Sequence, residues 1–149
     1  MAVVRSLEEL EVFARDAVAS LSPKKQATVM ALYGDLGAGK TAFVKAAAKT
    51  LGILETVTSP TFVLEKIYLL EGRPFSQLIH IDAYRLLRPE ELTALGFETM
   101  AADPKNLIFI EWAERVETLL PKDAMRLRFK TIDETTREVT FNYGETSKK

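Results

Sequence analysis

Apolar residues recur with two different periods along this chain. Leu7, Leu10, Phe13, Ala14, Ala17, Val18 and Leu21 stand three and four residues apart, which predicts a helix with one buried face. Ahead of them Ser6-Leu7-Glu8-Glu9 reads as a capping box: the Ser6 hydroxyl accepts from the Glu9 amide and the Glu9 carboxylate reaches back. Pro23 and the polar residues after it end that helix. Residues 27–33 (ATVMALY) form a short apolar run suited to a strand covered on both faces. A second helical run ends at Leu51, followed by Gly52 where a helix-terminating glycine belongs.

Beyond residue 52 the pattern turns to strands. Residues 56–61 are polar and contain Pro60, so they predict a loop. Segments 62–70 and 75–82 predict two strands joined by the turn 71–74. Pro89-Glu90-Glu91 opens a short helix that Gly96 closes. Residues 107–111 (LIFIE) read as another buried strand, and 112–120 have helical spacing up to Pro121. Segments 125–132 and 137–143 alternate apolar and polar side chains and predict a hairpin across 133–136. Residues 145–149 read as a frayed tail. Early alternation of helices and buried strands, with amphipathic strands later, predicts a small α/β domain. Its central sheet would be partly parallel, with flanking antiparallel strands and helices on both faces.

Composition narrows the class. With 149 residues, the chain fits one domain spanning 1–149, able to bury roughly 70% of its unfolded surface. At 47% apolar and 28% charged it is globular rather than disordered. Twenty basic against 21 acidic side chains give a formal charge of -1, which argues against strong independent nucleic-acid binding. The absence of cysteine excludes a disulfide scaffold and thiolate chemistry, and a single histidine argues against zinc-type ligation. The apolar runs are too short to span a bilayer, and the start is too acidic for a signal peptide, so the expectation is a cytoplasmic protein without membrane contact.

The chemistry centres on Gly34-Asp35-Leu36-Gly37-Ala38-Gly39-Lys40-Thr41, which matches G-x-x-x-x-G-K-[ST] at every fixed position. Glycines 34, 37 and 39 let the backbone wrap an anion with its N–H groups turned inward. The helix behind adds its partial positive end, Lys40 is a mobile charge for the β- and γ-phosphates, and Thr41 is a hard oxygen for Mg²⁺. Asp35 through Ala42 would thus form the nucleotide-binding segment. Two predicted strands end in acids, Asp82 and Glu111, and either could face the metal, since ligands of α/β sheets gather at the carboxyl ends of strands. His80 shares a strand face with Asp82, and its commoner role is that of a packed, hydrogen-bonded group. Trp112 is by itself a core residue; Arg85 is either a surface residue or a finger on transferring charge; 58–61 is either a turn or a switch loop.

Four ordered segments, GDLGAGKT at 34–41, SPTF at 59–62, HIDAYR at 80–85 and IEWAE at 110–114, resemble the TsaE family of bacterial ATPases of tRNA threonylcarbamoyladenosine biosynthesis. Pro89-Glu90-Glu91-Leu92 and Leu95-Gly96 fit its spacing as well. The resemblance implies a P-loop ATPase, slow alone, that uses ATP and Mg²⁺. It implies partnership with the TsaB–TsaD heterodimer and hence only indirect dealings with tRNA. It assigns phosphate binding to Lys40, Mg²⁺ to Thr41 and Glu111, and hydrolysis to Asp82. Ser59, Pro60 and Thr61 would form the switch-like loop, and Trp112 would sit beside the site. Glu8 or Glu9 at the start of the first helix, and the Thr136-Arg137 region, match the family's base-side contacts weakly. Ala42 stands where many relatives have a second threonine. A small-molecule P-loop kinase is the alternative, although no arginine cluster suggests a lid. A GTPase-like switch would need an Asn-Lys-x-Asp segment, which the chain lacks.

Overall fold

The computed structural model describes residues 2–35, 37–54, 65–71 and 74–142. Leu36, the predicted loop with Ser59, Pro60 and Thr61, the first residues of the predicted strand 62–70, Gly72 and Arg73 of its turn, Tyr143 and the tail 145–149 lie outside the described residues.

Among the described residues seven strands form one sheet: β1 (Ala2–Val4), β2 (Thr28–Tyr33), β3 (Glu65–Leu69), β4 (Gln77–Asp82), β5 (Asn106–Glu111), β6 (Met125–Thr131) and β7 (Arg137–Asn142). Their spatial order is β1-β7-β6-β2-β5-β4-β3. The inner pairs β6–β2, β2–β5 and β5–β4 are parallel, and the outer pairs β1–β7, β7–β6 and β4–β3 are antiparallel. Burial explains the division. Every residue of β2 and β5 is buried, as strands covered on both faces require, whereas β6 alternates and β3 is mostly open.

Helices α1 (Leu7–Ala19) and α2 (Lys40–Thr50) cover one face. Leu10, Ala14, Val18, Phe43 and Ala47 pack there against Met30, Leu32, Phe109 and Leu127. Phe43 lies at the centre of this layer, with Phe13, Phe109 and Phe129 each about 6 Å from its ring. The short helices α3 (Glu90–Ala94) and α4 (Phe97–Ala102) and a 3₁₀ segment at Ala113–Leu119 cover the other face through Leu92, Phe97 and Val116. Among the described residues no helix is long and apolar enough to cross a membrane.

Several expectations are corrected. β1 was not foreseen; three residues carry too little pattern, and the strand exists because it pairs with β7. The Ser6 cap forms at 3.1 Å, but the Glu9 carboxylate accepts from the amide of Arg5, not Ser6. Leu7, expected on the buried face, is exposed. Gly96 ends one helix and begins another: its left-handed backbone is the N-cap of α4. Segment 112–120 is not an α-helix. Trp112 stands outside it in a left-handed conformation, and Val116 breaks the 3₁₀ winding.

The 3₁₀ segment is pinned to the end of β2. Tyr33 donates to Glu117 Oε1 at 2.5 Å, while Arg126 donates to Glu117 Oε2 at 2.8 and 3.2 Å. Burial, then the bond to Glu117 and its charge, push the Tyr33 hydroxyl up to about 12. The folded state therefore favours the protonated phenol. Its contribution to stability is whole below the ordinary tyrosine value of about 10 and is lost as pH rises through about 12. We expect Tyr33→Phe to remove one late-ionising tyrosine from an alkaline absorbance titration and to flatten the fall in thermal stability between those two pH values. An unchanged titration would contradict this assignment.

Candidate functional site

Parallel pairing puts the carboxyl ends of β2, β4, β5 and β6 at one end of the sheet. There β2 runs into the glycine-rich turn, and α2 starts at Lys40. Gly34 is the tightest point of that turn. Its φ is +142°, and a Cβ there would lie 2.6 Å from the Phe129 carbonyl oxygen on β6. Only glycine fits, and the Gly34 carbonyl accepts from the Lys40 ammonium. Gly37 and Gly39 are also left-handed. Gly39 caps α2 without any side-chain hydrogen bond, leaving the first backbone N–H groups of the helix as donors at this end. Asp35 and Gly37 are exposed, Ala38 is buried, and Ala42 packs partly buried against the core, where a methyl suits better than a hydroxyl.

Lys40 is 4% exposed. Its ammonium also lies 3.5 Å from the centre of the Trp112 ring. Burial lowers its pKa from the ordinary lysine value, and the charges of Glu114, Glu111, Asp82 and Asp35 oppose that shift. Trp112 is, among the described residues, the sole non-glycine with positive φ (+57°). Such a conformation costs about 1–3 kcal/mol. It turns the indole back over Lys40, with the Tyr84 ring 4.9 Å away and the Arg115 guanidinium 5.6 Å from Tyr84.

Glu111 ends β5 and is 2% exposed. Thr41 Oγ1, on the first turn of α2, donates to its Oε1 at 2.9 Å. His80 Nε2, on β4, lies 2.7 Å from its Oε2. Asp82 is the register partner of Glu111 across β4 and β5, half-buried, and its Oδ1 accepts from the Tyr84 amide at 3.0 Å. The donor set suits a hard divalent cation. Neighbouring ligands of an octahedral ion at ~2.1 Å stand about 3 Å apart, close to the Thr41–Glu111 separation. Among the described residues no three carboxylate or histidine side chains are grouped to hold a metal by themselves. A cation here would draw its other ligands from phosphate and water, as Mg²⁺ commonly does.

The structure thus gathers Lys40, Thr41, His80, Asp82, Glu111 and Trp112. Arg85 is exposed, as is Glu8 on the first turn of α1. Thr136 lies in the β6–β7 turn. That turn reaches the loop through Arg137, which donates to the Gly37 carbonyl at 3.2 Å and to those of Asp133 and Thr136. β1 leads into α1 at this same end of the sheet. Sequence reasoning missed Tyr84 as the support of Trp112, though it stands inside HIDAYR. It also missed Phe129, which an alternating strand gives no reason to single out. A groove of about 660 Å³ lined by Ser22, Lys24, Lys25 and Thr28 opens at the opposite end of the sheet, and no predicted site residue lines it.

A mixed sheet with helices on both faces, its polar residues gathered where parallel strands end, defines an α/β protein with a loop-centred site. The family follows from comparison with known proteins. Residues 4–139 match the family described as "Threonylcarbamoyl adenosine biosynthesis protein TsaE", and the chain belongs to that family. The protein described as tRNA threonylcarbamoyladenosine biosynthesis protein TsaE from Rickettsia bellii (strain RML369-C) is 36% identical over 136 residues, 91% of this chain and 89% of the relative. Its counterpart in Bacillus subtilis (strain 168) is 38% identical over 117 residues, 78% of this chain and 70% of the relative. The crystal structure of Bacillus subtilis YdiB superposes with a TM-score of 0.77 at 30% identity, covering 97% of this chain and 84% of that one. The family that the four motifs resemble is therefore the family found.

We expect Gly34→Ala to destabilise the fold by at least ~2 kcal/mol, from backbone strain and the clash with Phe129. Chemical denaturation measures this, and an unchanged midpoint would show that the turn tolerates a side chain.

Proposed function

We propose that this chain is a single-domain, Mg²⁺-dependent P-loop ATPase serving threonylcarbamoyladenosine modification of tRNA. It would act in the cytoplasm with the TsaB–TsaD heterodimer and reach tRNA only through that complex. The observation that carries the reading is the hydrogen bond from Thr41 to buried Glu111 at the head of α2, next to the buried Lys40. A hydroxyl, a carboxylate and an ammonium are thereby held together where a glycine-rich turn and a helix amino terminus offer backbone N–H groups.

In this reading the backbone of residues 34–41 cradles the phosphates. Lys40 swings its ammonium from the Gly34 carbonyl to the β- and γ-phosphate oxygens, and the phosphate charge favours its protonated form. Thr41 and Glu111 hold the cation, which supplies neutralisation of charge on the leaving and transferring oxygens. Asp82, beside Glu111, orders the attacking water. Water attacks the γ-phosphorus, the bond to the β–γ bridging oxygen breaks, and ADP and phosphate leave. Catalysis of this sort is mostly positioning and electrostatics. Trp112 holds the lysine in place, the loop with Ser59, Pro60 and Thr61 acts as the switch, and Glu8 and Thr136 lie on the base side. Family membership supports the partnership and the tRNA pathway.

Lys40→Ala should abolish useful ATP binding, read by nucleotide titration. Glu111→Ala and Asp82→Ala should lose turnover more than nucleotide affinity; unchanged turnover in Asp82→Ala would sink its assigned role.

The deciding experiment is ATP hydrolysis with Mg²⁺, alone and with cognate TsaB and TsaD. Slow turnover that rises with the pair is expected. Fast turnover indifferent to the pair would overturn the partnership, and phosphorylation of a small acceptor in step with ADP release would establish a kinase instead.

A further inference from the structure

Glu111 has two oxygens, and the proposed function occupies only one side of it. Oε1 faces Thr41, at the head of α2. Oε2 faces inward, to a histidine with no solvent exposure. The His80 ring shares its sheet face with Leu78 and Asp82 on β4 and pairs across the strands with Phe109 on β5 and Lys66 on β3. Its Nδ1 is buried and has no hydrogen-bond partner among the described residues. Of the two singly protonated forms, that asymmetry favours the one with its hydrogen on Nε2. With the hydrogen on Nε2, the ring donates to the carboxylate and leaves only an acceptor unpaired. With the hydrogen on Nδ1, a lone pair would face the carboxylate and a buried donor would be stranded, which is the costlier arrangement.

We infer that His80 is a positioning residue for Glu111: its Nε2–H grips Oε2 and so aims Oε1 at Thr41 and the cation. This rests on the ATPase reading above and extends it. A glutamate side chain at a strand end has three rotatable bonds and needs something to hold its plane. Thr41 cannot do this throughout, because its hydroxyl shares Oε1 with the cation it would help to bind. His80 holds the oxygen that the cation does not use. Proton transfer by His80 is a different matter: the ring is sealed from solvent, and its far nitrogen has no relay partner.

His80 is the only histidine in the chain, so its imidazole signals are unambiguous. In nitrogen-15 NMR of the intact protein we expect a ring protonated at Nε2, with a slowly exchanging Nε2–H that shifts in Glu111→Gln. A ring protonated at Nδ1 alone, or one indifferent to Glu111→Gln, would overturn the inference without requiring any His80 variant to fold. The second measurement is Mn²⁺ binding, by electron paramagnetic resonance, in the presence of a non-hydrolysable ATP analogue. His80→Phe should weaken Mn²⁺ binding by about 10- to 100-fold, the usual scale for losing a residue that orients a metal ligand. His80→Gln, which keeps an N–H near the same position, should recover much of it. Phe and Gln variants equal to wild type would overturn the positioning role alone. A wild-type protein that binds no Mn²⁺ with the analogue would overturn the ATPase reading and the inference with it.

Discussion

A carboxylate at 2% exposure has to be answered by hydrogen bonds, and Glu111 is answered from two directions. One donor is on β4 and the other is on α2. Removing either partner would leave a buried acceptor unsatisfied, which typically costs about 1–3 kcal/mol. The demand reaches well beyond the site. β4 must lie parallel to β5, in the register that sets His80 beside Phe109 and Asp82 beside Glu111. α2 must begin within reach of the end of β5, which leaves the chain only the residues from Gly34 to Gly39 to turn from β2 into the helix. Gly34 passes against the backbone of β6 because that turn has no room to swing wide.

Lys40 is held by a different kind of compromise. Its ammonium is buried, which is unfavourable, and the compensation comes from a carbonyl, an aromatic face and four nearby carboxylates. The aromatic face is available only because Trp112 accepts a left-handed backbone between β5 and the 3₁₀ segment. Tyr33, Glu117 and Arg126 pin that segment to β2 and β6, so the strain at Trp112 is opposed by bonds a few residues away. The Tyr84 ring packs against the indole at a tilt. The strain falls next to the lysine, where local conformation serves the site rather than the fold.

Much of this was legible in the sequence, and the parts that were not share a cause. Strands covered on both faces announce themselves as unbroken apolar runs, so β2 and β5 were readable, as were the acids at the ends of β4 and β5. The glycine-rich turn was readable because its spacing has a mechanism. β1 was not, because its three residues are a strand only through β7, a partner more than a hundred residues away. The kinked 3₁₀ segment was not, since helical spacing does not distinguish tight from ordinary winding. The environment of Glu111 shows the limit most clearly. Strand alternation put His80 and Asp82 on one face, yet nothing in the pattern said that the inner residue would reach across to the neighbouring strand's acid.

The charges around Lys40 also bear on the order of events in the proposed reaction. Four carboxylates attract one ammonium, so the residues near the lysine carry a net negative charge. A bare triphosphate approaching them would gain from Lys40 and from the helix amino terminus but would be repelled by Glu111, Asp82 and Glu114. In the proposed reading Thr41 and Glu111 would hold a divalent cation whose charge would offset that repulsion, so that the acids would help to attach the nucleotide. In that reading nucleotide and cation would enter as one ligand, with the acid cluster coupling them. The grip of His80 on Glu111 then matters for more than the aim of one oxygen: the carboxylate that turns repulsion into binding must keep its place when Thr41 and the cation come to share it.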